Sequence, residues 1–218
     1  YVKEPILGGH DWIVSFDINS LYPHIIIQYN ISPEKILGES SHGVNVNKMI
    51  DMKVPLNYLK TEGACLTPNG AKFRNDSQGF LPEMMEKMYN ERVVFKQRML
   101  KAKAEYQKTK DPKLVKEIAR CHNIQWSKKI ALNSAYGAVG NQYFRYYDVR
   151  QASGITTAGQ FIIRFIENKM NEYLNKVLQT QNKIDYVVAS DTDSIYVTLD
   201  KLVEKTCQGK TNDQITDF

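Results

Sequence analysis

The feature that most constrains this chain is a pair of long helical stretches separated by one short break. From Pro82 to about Lys108, Met84, Met88, Phe95 and Met99 recur at roughly helical spacing. Thr109-Lys110-Asp111-Pro112 interrupts the pattern, and Pro112 suits the first position of a second helix reaching about Ala135. Leu114, Ile118, Cys121 and Ile124 give that helix its own apolar stripe. Two long helices joined by so tight a turn make an antiparallel hairpin. Strand-like segments lie on both sides, so the hairpin reads as a basic arm inserted into an α+β core.

Trp12–Phe16 is a β-rich run ending at Asp17, and it reads as a core strand. Ser20 stands where an N-cap would, with Pro23 in the first turn of a helix running to about Asn30. Residues 38–60 carry weak signals and are assigned no firm structure. Thr67-Pro68-Asn69-Gly70, between residues 64–66 and 71–73, is a hairpin turn. After Tyr136-Gly137 come a short extended stretch and a helix over roughly Gln151–Leu178. A strand at Ile184–Ser190, an acidic turn at Asp191-Thr192-Asp193 and a strand at Ser194–Leu199 follow.

A chain of 218 residues has room for one well-filled domain, or for a core with a sizeable insertion. With 42% hydrophobic residues, wholesale disorder is excluded as a reading. The net charge of +5 permits a polyanionic partner without demanding one, but Lys and Arg concentrate between Lys87 and Lys129. Three cysteines without CxxC spacing argue against a disulfide framework and for a reducing cytoplasm. No apolar stretch is long enough to span a bilayer, and no membrane partner is expected. The chain begins at Tyr1 rather than Met, and both ends, including Asp217-Phe218, read as cuts.

Asp191 and Asp193 sit two apart, a spacing that along extended chain points both carboxylates to one side. Like charges held close together call for a proton or a cation, most naturally a hard divalent ion with oxygen ligands. A solvated turn is the competing reading, because Asp favours turns for backbone reasons alone. Asp17 also ends an apolar strand, and the backbone at Ser20, Leu21 and Tyr22 opens a helix, which is an anion-binding position. Carboxylates beside an anion cradle are what two-metal phosphoryl chemistry requires. An ordinary strand-end cap would explain Asp17 as well, and Tyr22 could be simple core. Arg92 and Lys96 are four apart on one helix face, and Lys129, Asn133 and Tyr136 share a face of the next. Such stripes could grip a triphosphate and stack on a base. Taken singly, they are also common solvent-facing surfaces.

Three segments resemble a known family. Asp17-Ile18-Asn19-Ser20-Leu21-Tyr22-Pro23 resembles the first polymerase motif of family B DNA polymerases. Lys129 to Gly137, with Asn133-Ser134 and Tyr136-Gly137, is similar to their second, and Asp191-Thr192-Asp193-Ser194 to their third. The order and the intervening helical hairpin match too. Wording such as Asn30-Ile31-Ser32-Pro33-Glu34 and Phe144-Arg145-Tyr146-Tyr147-Asp148 resembles the T-even bacteriophage branch of that family.

The resemblance implies an α+β polymerase palm, an antiparallel sheet with packed helices, carrying the hairpin as a fingers subdomain. Residues 1–81 and 138–218 would form the palm and 82–137 the fingers. The activity implied is template-directed transfer of deoxynucleotides from dNTPs to a primer 3′-OH, releasing pyrophosphate. Asp17 and Asp193 would ligate two Mg²⁺ ions, replaceable by Mn²⁺, with the Ile18 carbonyl as a further ligand and Asp191 tuning the set. The backbone at Ser20, Leu21 and Tyr22 would hold the triphosphate, and the Tyr22 ring would exclude a ribose 2′-OH. Arg92, Lys96 and Lys129 would bind the triphosphate, with Lys129 also placed to protonate the leaving pyrophosphate. Asn133 would orient that group, and Tyr136 and Gly137 would line the nascent base pair. Partners implied are primer-template DNA, dNTP, a sliding clamp and other replisome proteins, in the cytoplasm of a phage-infected bacterium. His24, Ala189 and Ser190 depart from the family pattern, Ser190 standing where a Gly commonly precedes the acidic turn. Rival readings are another palm-type nucleotidyltransferase, a two-metal nuclease, and a non-catalytic DNA-binding module.

Overall fold

The computed structural model describes residues 1–181 and 183–216, so the chain end at Asp217-Phe218 lies outside the described residues. In chain order the elements are β1 (Val2–Lys3), β2 (Ile13–Asp17), α1 (Leu21–Gln28), β3 (Ile36–Glu39), α2 (Val46–Ile50), α3 (Asn57–Glu62), β4 (Ala64–Leu66) and β5 (Ala71–Arg74). Then follow α4 (Phe80–Thr109), α5 (Pro112–Val139), α6 (Val149–Leu178), β6 (Val187–Asp191), β7 (Ser194–Thr198), α7 (Asp200–Thr206) and α8 (Asn212–Thr216). Helix and antiparallel sheet are mixed, as an α+β reading requires. The chain forms two compact units, one of Tyr1–Asn19 with Gly159–Phe218 and one of Ser20–Ala158.

The first unit is built on an antiparallel sheet with strand order β1-β6-β7-β2. Along β7, Ile195 and Val197 are buried while Tyr196 is exposed, the period-two pattern of a strand covered on one face. Ile195 and Val197 pack with Val187, Tyr186 and the α6 residues Ile163 and Leu174 to form its core. Each such side chain fully removed from water contributes about 1.5–3 kcal/mol. Strand β6 begins at Val187 rather than Ile184, because side chains of α6 claim the backbone before it. Asn175 Nδ2 donates to the Ile184 carbonyl at 2.7 Å, and the Tyr186 N–H donates to Asn171 Oδ1 at 2.8 Å.

The second unit holds the helical hairpin and a three-stranded sheet of order β3-β5-β4. The β4–β5 turn falls at Thr67–Gly70 as expected, with the Gly70 N–H donating to the Thr67 carbonyl at 2.8 Å. The break between α4 and α5 also falls where expected. Lys110 closes α4 in the left-handed region at φ 57°, and the Asp111 side chain accepts from the Lys113 N–H at 2.9 Å. Pairs Lys128–Glu91 and Arg98–Glu117 join the two helices.

Three expectations need correction. The buried face of α4 runs through Leu81, Met85, Met99 and Ala102, whereas Met84 is exposed. Residues 38–60, assigned no firm structure from sequence, hold α2 and the start of α3, with α2 capped by Asn45 Oδ1 accepting from the Lys48 N–H at 2.9 Å. Ser20 precedes α1 but makes no side-chain cap bond, since its own backbone is left-handed at φ 55°.

Candidate active site

The acidic residues belong to the sheet unit. Cross-strand register sets Asp17 of β2 opposite Ser194 of β7, and Ser194 opposite Asp191 of β6. Directly opposed residues share a sheet face, so Asp17, Ser194 and Asp191 form one row across three strands. With neighbouring strands about 4.7–4.9 Å apart, the two carboxylate-bearing backbones are roughly 10 Å apart. Asp193 occupies the two-residue turn between β6 and β7, after Thr192 in the left-handed region at φ 51°. The chain therefore turns between Asp191 and Asp193. The expected side-by-side pair on extended chain does not form; register brings Asp191 into line with Asp17 instead.

Hydrogen bonds hold this turn. The Ile18 N–H donates to the Asp193 carbonyl at 2.8 Å, and the Thr192 N–H to the Tyr1 carbonyl at 3.0 Å. Thr192 Oγ1 donates to Asp191 Oδ1 at 2.8 Å, and Ser194 Oγ to the Asp191 carbonyl at 3.2 Å. Burial, then the negative charge of Asp17 and to a smaller extent that of Asp191, push the Asp193 carboxyl above the usual range for aspartate. A carboxyl so placed gains from any cation that neutralises its neighbours. The donor set, oxygen-only and anionic, fits a hard divalent ion. Among the described residues, however, no three His, Cys, Asp or Glu side chains are gathered closely enough to hold one. Ser190, next to Asp191, is buried, and its hydroxyl has no hydrogen-bond partner among the described residues. Ala189 lies opposite Tyr196 across the β6–β7 pair.

The cationic and aromatic candidates belong to the helical unit. Arg92, half-buried on α4, donates from Nη1 to Ser20 Oγ at 3.2 Å, while its Nε is buried without a partner among the described residues. Lys96 is one turn further along α4 and exposed. The Tyr22 and Tyr136 rings pack with centroids 5.0 Å apart at 54°. Leu21 is buried and serves the core. Asn133 and Gly137 are exposed, and a Cβ added at Gly137 would meet no atom within 4 Å. Thus Ser20 is joined to Arg92 and Tyr22 to Tyr136.

Two features were missed from sequence. Lys129 Nζ stands 5.0 Å from the centroid of the Trp126 ring, a cation–π contact one helical turn away. The i, i+3 spacing of Trp126 and Lys129 was the available signal. His24, a departure from the family pattern, has a defined place: Nδ1 lies 2.9 Å from the Ser20 carbonyl, and its ring meets Tyr89 edge-on at 4.6 Å.

The model of the DNA polymerase family B matches residues 1–211. The chain is 34% identical to the DNA-directed DNA polymerase of Escherichia phage RB69 over 98% of its length, which is 28% of that relative. It is 35% identical to the DNA-directed DNA polymerase of Enterobacteria phage T4 over 94% of its length and 27% of that relative. A DNA polymerase of Pyrococcus glycovorans is 29% identical over 91% of the chain. The chain spans about a quarter of the length of the phage relatives it matches. With three motifs in order and a family match through nearly its whole length, this chain belongs to family B of the DNA polymerases.

Proposed function

We propose that this chain forms the nucleotide-adding part of a template-directed DNA polymerase, with residues 1–81 and 138–218 as palm and 82–137 as fingers. The observation that carries the reading is the row Asp17–Ser194–Asp191 with Asp193 at the adjoining turn, its proton affinity raised first by burial and then by the charges of Asp17 and Asp191. Family membership supports it, since the phage relatives are named DNA-directed DNA polymerases.

Asp17, Asp193 and the Ile18 carbonyl would hold two divalent ions, Mg²⁺ in the first instance and Mn²⁺ as a substitute, with Asp191 tuning the set. When bound, the ions supply charge neutralisation at the α-phosphate and lower the pKa of the primer 3′-OH. The rest falls to side chains and backbone. Arg92 and Lys96 clamp the triphosphate, and Ser20, Leu21 and Tyr22 cradle it through their backbone. Lys129, freed from Trp126, gives its proton to the leaving pyrophosphate, which Asn133 orients. The Tyr22 ring, braced on Tyr136, blocks a ribose 2′-OH, and the open surface at Gly137 accepts the nascent base pair. The 3′-hydroxyl gives up its proton to water as its oxygen bonds the α-phosphorus, and the bond from that phosphorus to the pyrophosphate oxygen breaks. Primer-template DNA and dNTP are the substrates, and a sliding clamp with other replisome proteins is expected to act on the whole protein in an infected bacterial cytoplasm. No helix among the described residues is long and apolar enough to cross a membrane.

The test is primer extension with Mg²⁺ and either deoxy- or ribonucleotides, comparing the unaltered sequence with Asp193→Ala and Lys129→Ala. Deoxynucleotide-selective extension lost in Asp193→Ala and strongly slowed in Lys129→Ala is the expected result. Extension that survives Lys129→Ala, or that prefers ribonucleotides, overturns the assignment.

A further inference from the structure

The segment Arg145–Asp148 takes no part in the roles above, yet it lines a cleft of about 460 Å³ within the helical unit. Residues 33 and 36–38, at and before β3, line the same cleft with residues 145–148 and 150. That volume lies within the range of small-ligand sites. Its aromatic part is well supported: the Tyr146 ring packs against Phe80 at 5.1 Å and Phe144 at 5.7 Å. The Arg145 guanidinium stands 5.6 Å from the Tyr146 centroid. Tyr147 is 44% exposed, so part of its ring is available to a ligand.

The charge of the cleft follows from one local arrangement. Asp148 accepts from Arg150 Nη2 at 2.6 Å, from Nε at 3.0 Å and from the Arg150 N–H at 2.8 Å. These bonds hold its carboxyl below the usual range and spend its charge on Arg150. Arg145 forms no ion pair among the described residues and leaves the cleft cationic. Arg145 and the partly exposed Tyr147 line the same cleft, and a planar guanidinium and a tyrosine ring match two parts of one ligand, a phosphate and a base. In a duplex the base faces are covered by stacking, whereas an unpaired nucleotide offers one.

We propose that this cleft binds an unpaired segment of a nucleic-acid strand, with Tyr147 stacked on a base and Arg145 on the adjoining phosphate. The contact is separate from the catalytic residues and does not depend on the polymerase assignment. Stacking of this kind tolerates any base, so binding is independent of sequence.

The probe is a fluorescently labelled oligothymidylate, titrated with this chain by anisotropy at several salt concentrations and compared with a blunt duplex. Arg145→Ala and Tyr147→Ala both alter exposed side chains; Tyr146 is left intact because it packs on Phe80 and Phe144, and a thermal melt checks each variant. Each substitution is expected to weaken oligothymidylate binding about fivefold or more. Arg145→Ala should also lower the slope of log affinity against log salt by about 0.7, one phosphate contact. Tyr147→Ala should leave duplex binding unchanged. Single-strand affinity unchanged in both natively melting variants, or no binding by the unaltered chain, overturns the proposal. So does a Tyr147→Ala variant that loses duplex and single strand equally. Failure of primer extension, together with these single-strand losses, would sink the polymerase reading and leave the cleft standing.

Discussion

Replacing Gly137 by Ala separates what this position does for the fold from what it does for the substrate. Gly137 lies in the last turn of α5, is exposed, and has an ordinary helical backbone. A Cβ built there meets no atom within 4 Å, so no packing penalty offsets the gain in helix propensity. In a helix interior Ala is favoured over Gly by about 0.8–1 kcal/mol. Near the frayed end roughly half applies, so Gly137→Ala is expected to stabilise the chain by about 0.5 kcal/mol. At about 2–4 °C per kcal/mol for a chain of this size, the melting temperature rises by about 1–2 °C. If the surface at Gly137 receives the nascent base pair, the added methyl intrudes on the substrate. Primer extension by the same variant should then fall at least tenfold, chiefly through a higher KM for dNTP. Thermal melting and steady-state extension on one preparation give both readouts. A variant that melts lower shows that protein packing required the glycine. One that melts higher with undiminished extension removes Gly137 from the substrate surface. Either result refutes the reasoning.

Ser190→Ala removes a buried hydroxyl that has no partner among the described residues and should stabilise the chain by about 1 kcal/mol, read as a higher urea midpoint at unchanged slope. A loss of stability would mean that the hydroxyl is satisfied after all. Gly79→Ala should do the opposite: its Cβ would fall 2.6 Å from Ser32 Cβ, and overpacking of this kind costs about 1–3 kcal/mol. Melting unaltered in Gly79→Ala would show that the Ser32 loop yields freely. Asp193 has a folded-state pKa above its unfolded value, so protonation favours the fold. Its contribution is fully present below the unfolded pKa and is lost as pH rises through the folded one. Asp193→Asn should therefore flatten that part of the stability–pH curve in denaturant titrations, and a curve unchanged in the variant would refute the coupling.

Local chemistry explains which parts of the molecule could be read in advance. The α4–α5 break was legible because Asp111 and Pro112 carry their own cap and first-turn geometry, and the 67–70 turn because its residues fix their own backbone. The start of α4 was not. Its first N–H groups are met by distant side chains: Gly79 N–H by Asn30 Oδ1 at 2.8 Å, Phe80 N–H by Glu34 Oε1 at 2.8 Å and Leu81 N–H by Ser32 Oγ at 3.3 Å. Burial opposes ionisation of Glu34, yet the bonds from Ser32 and Phe80 hold its carboxyl below the usual range. Here the cap is tertiary structure, and no window of sequence around residue 80 contains it. The acidic row shows the same division. Spacing alone paired Asp191 with Asp193, because it assumed extended chain through a turn. Strand register instead pairs Asp191 with Asp17, a residue 174 positions away in numbering, through Ser194. The motif singled out these carboxylates, and the turn between β6 and β7 gives them a different geometry from the one extended chain would impose. Beyond burial, which raises the proton affinity of Asp193 most, β2 and β7 end together, so the charge of Asp17 reaches Asp193 more strongly than that of its own neighbour Asp191.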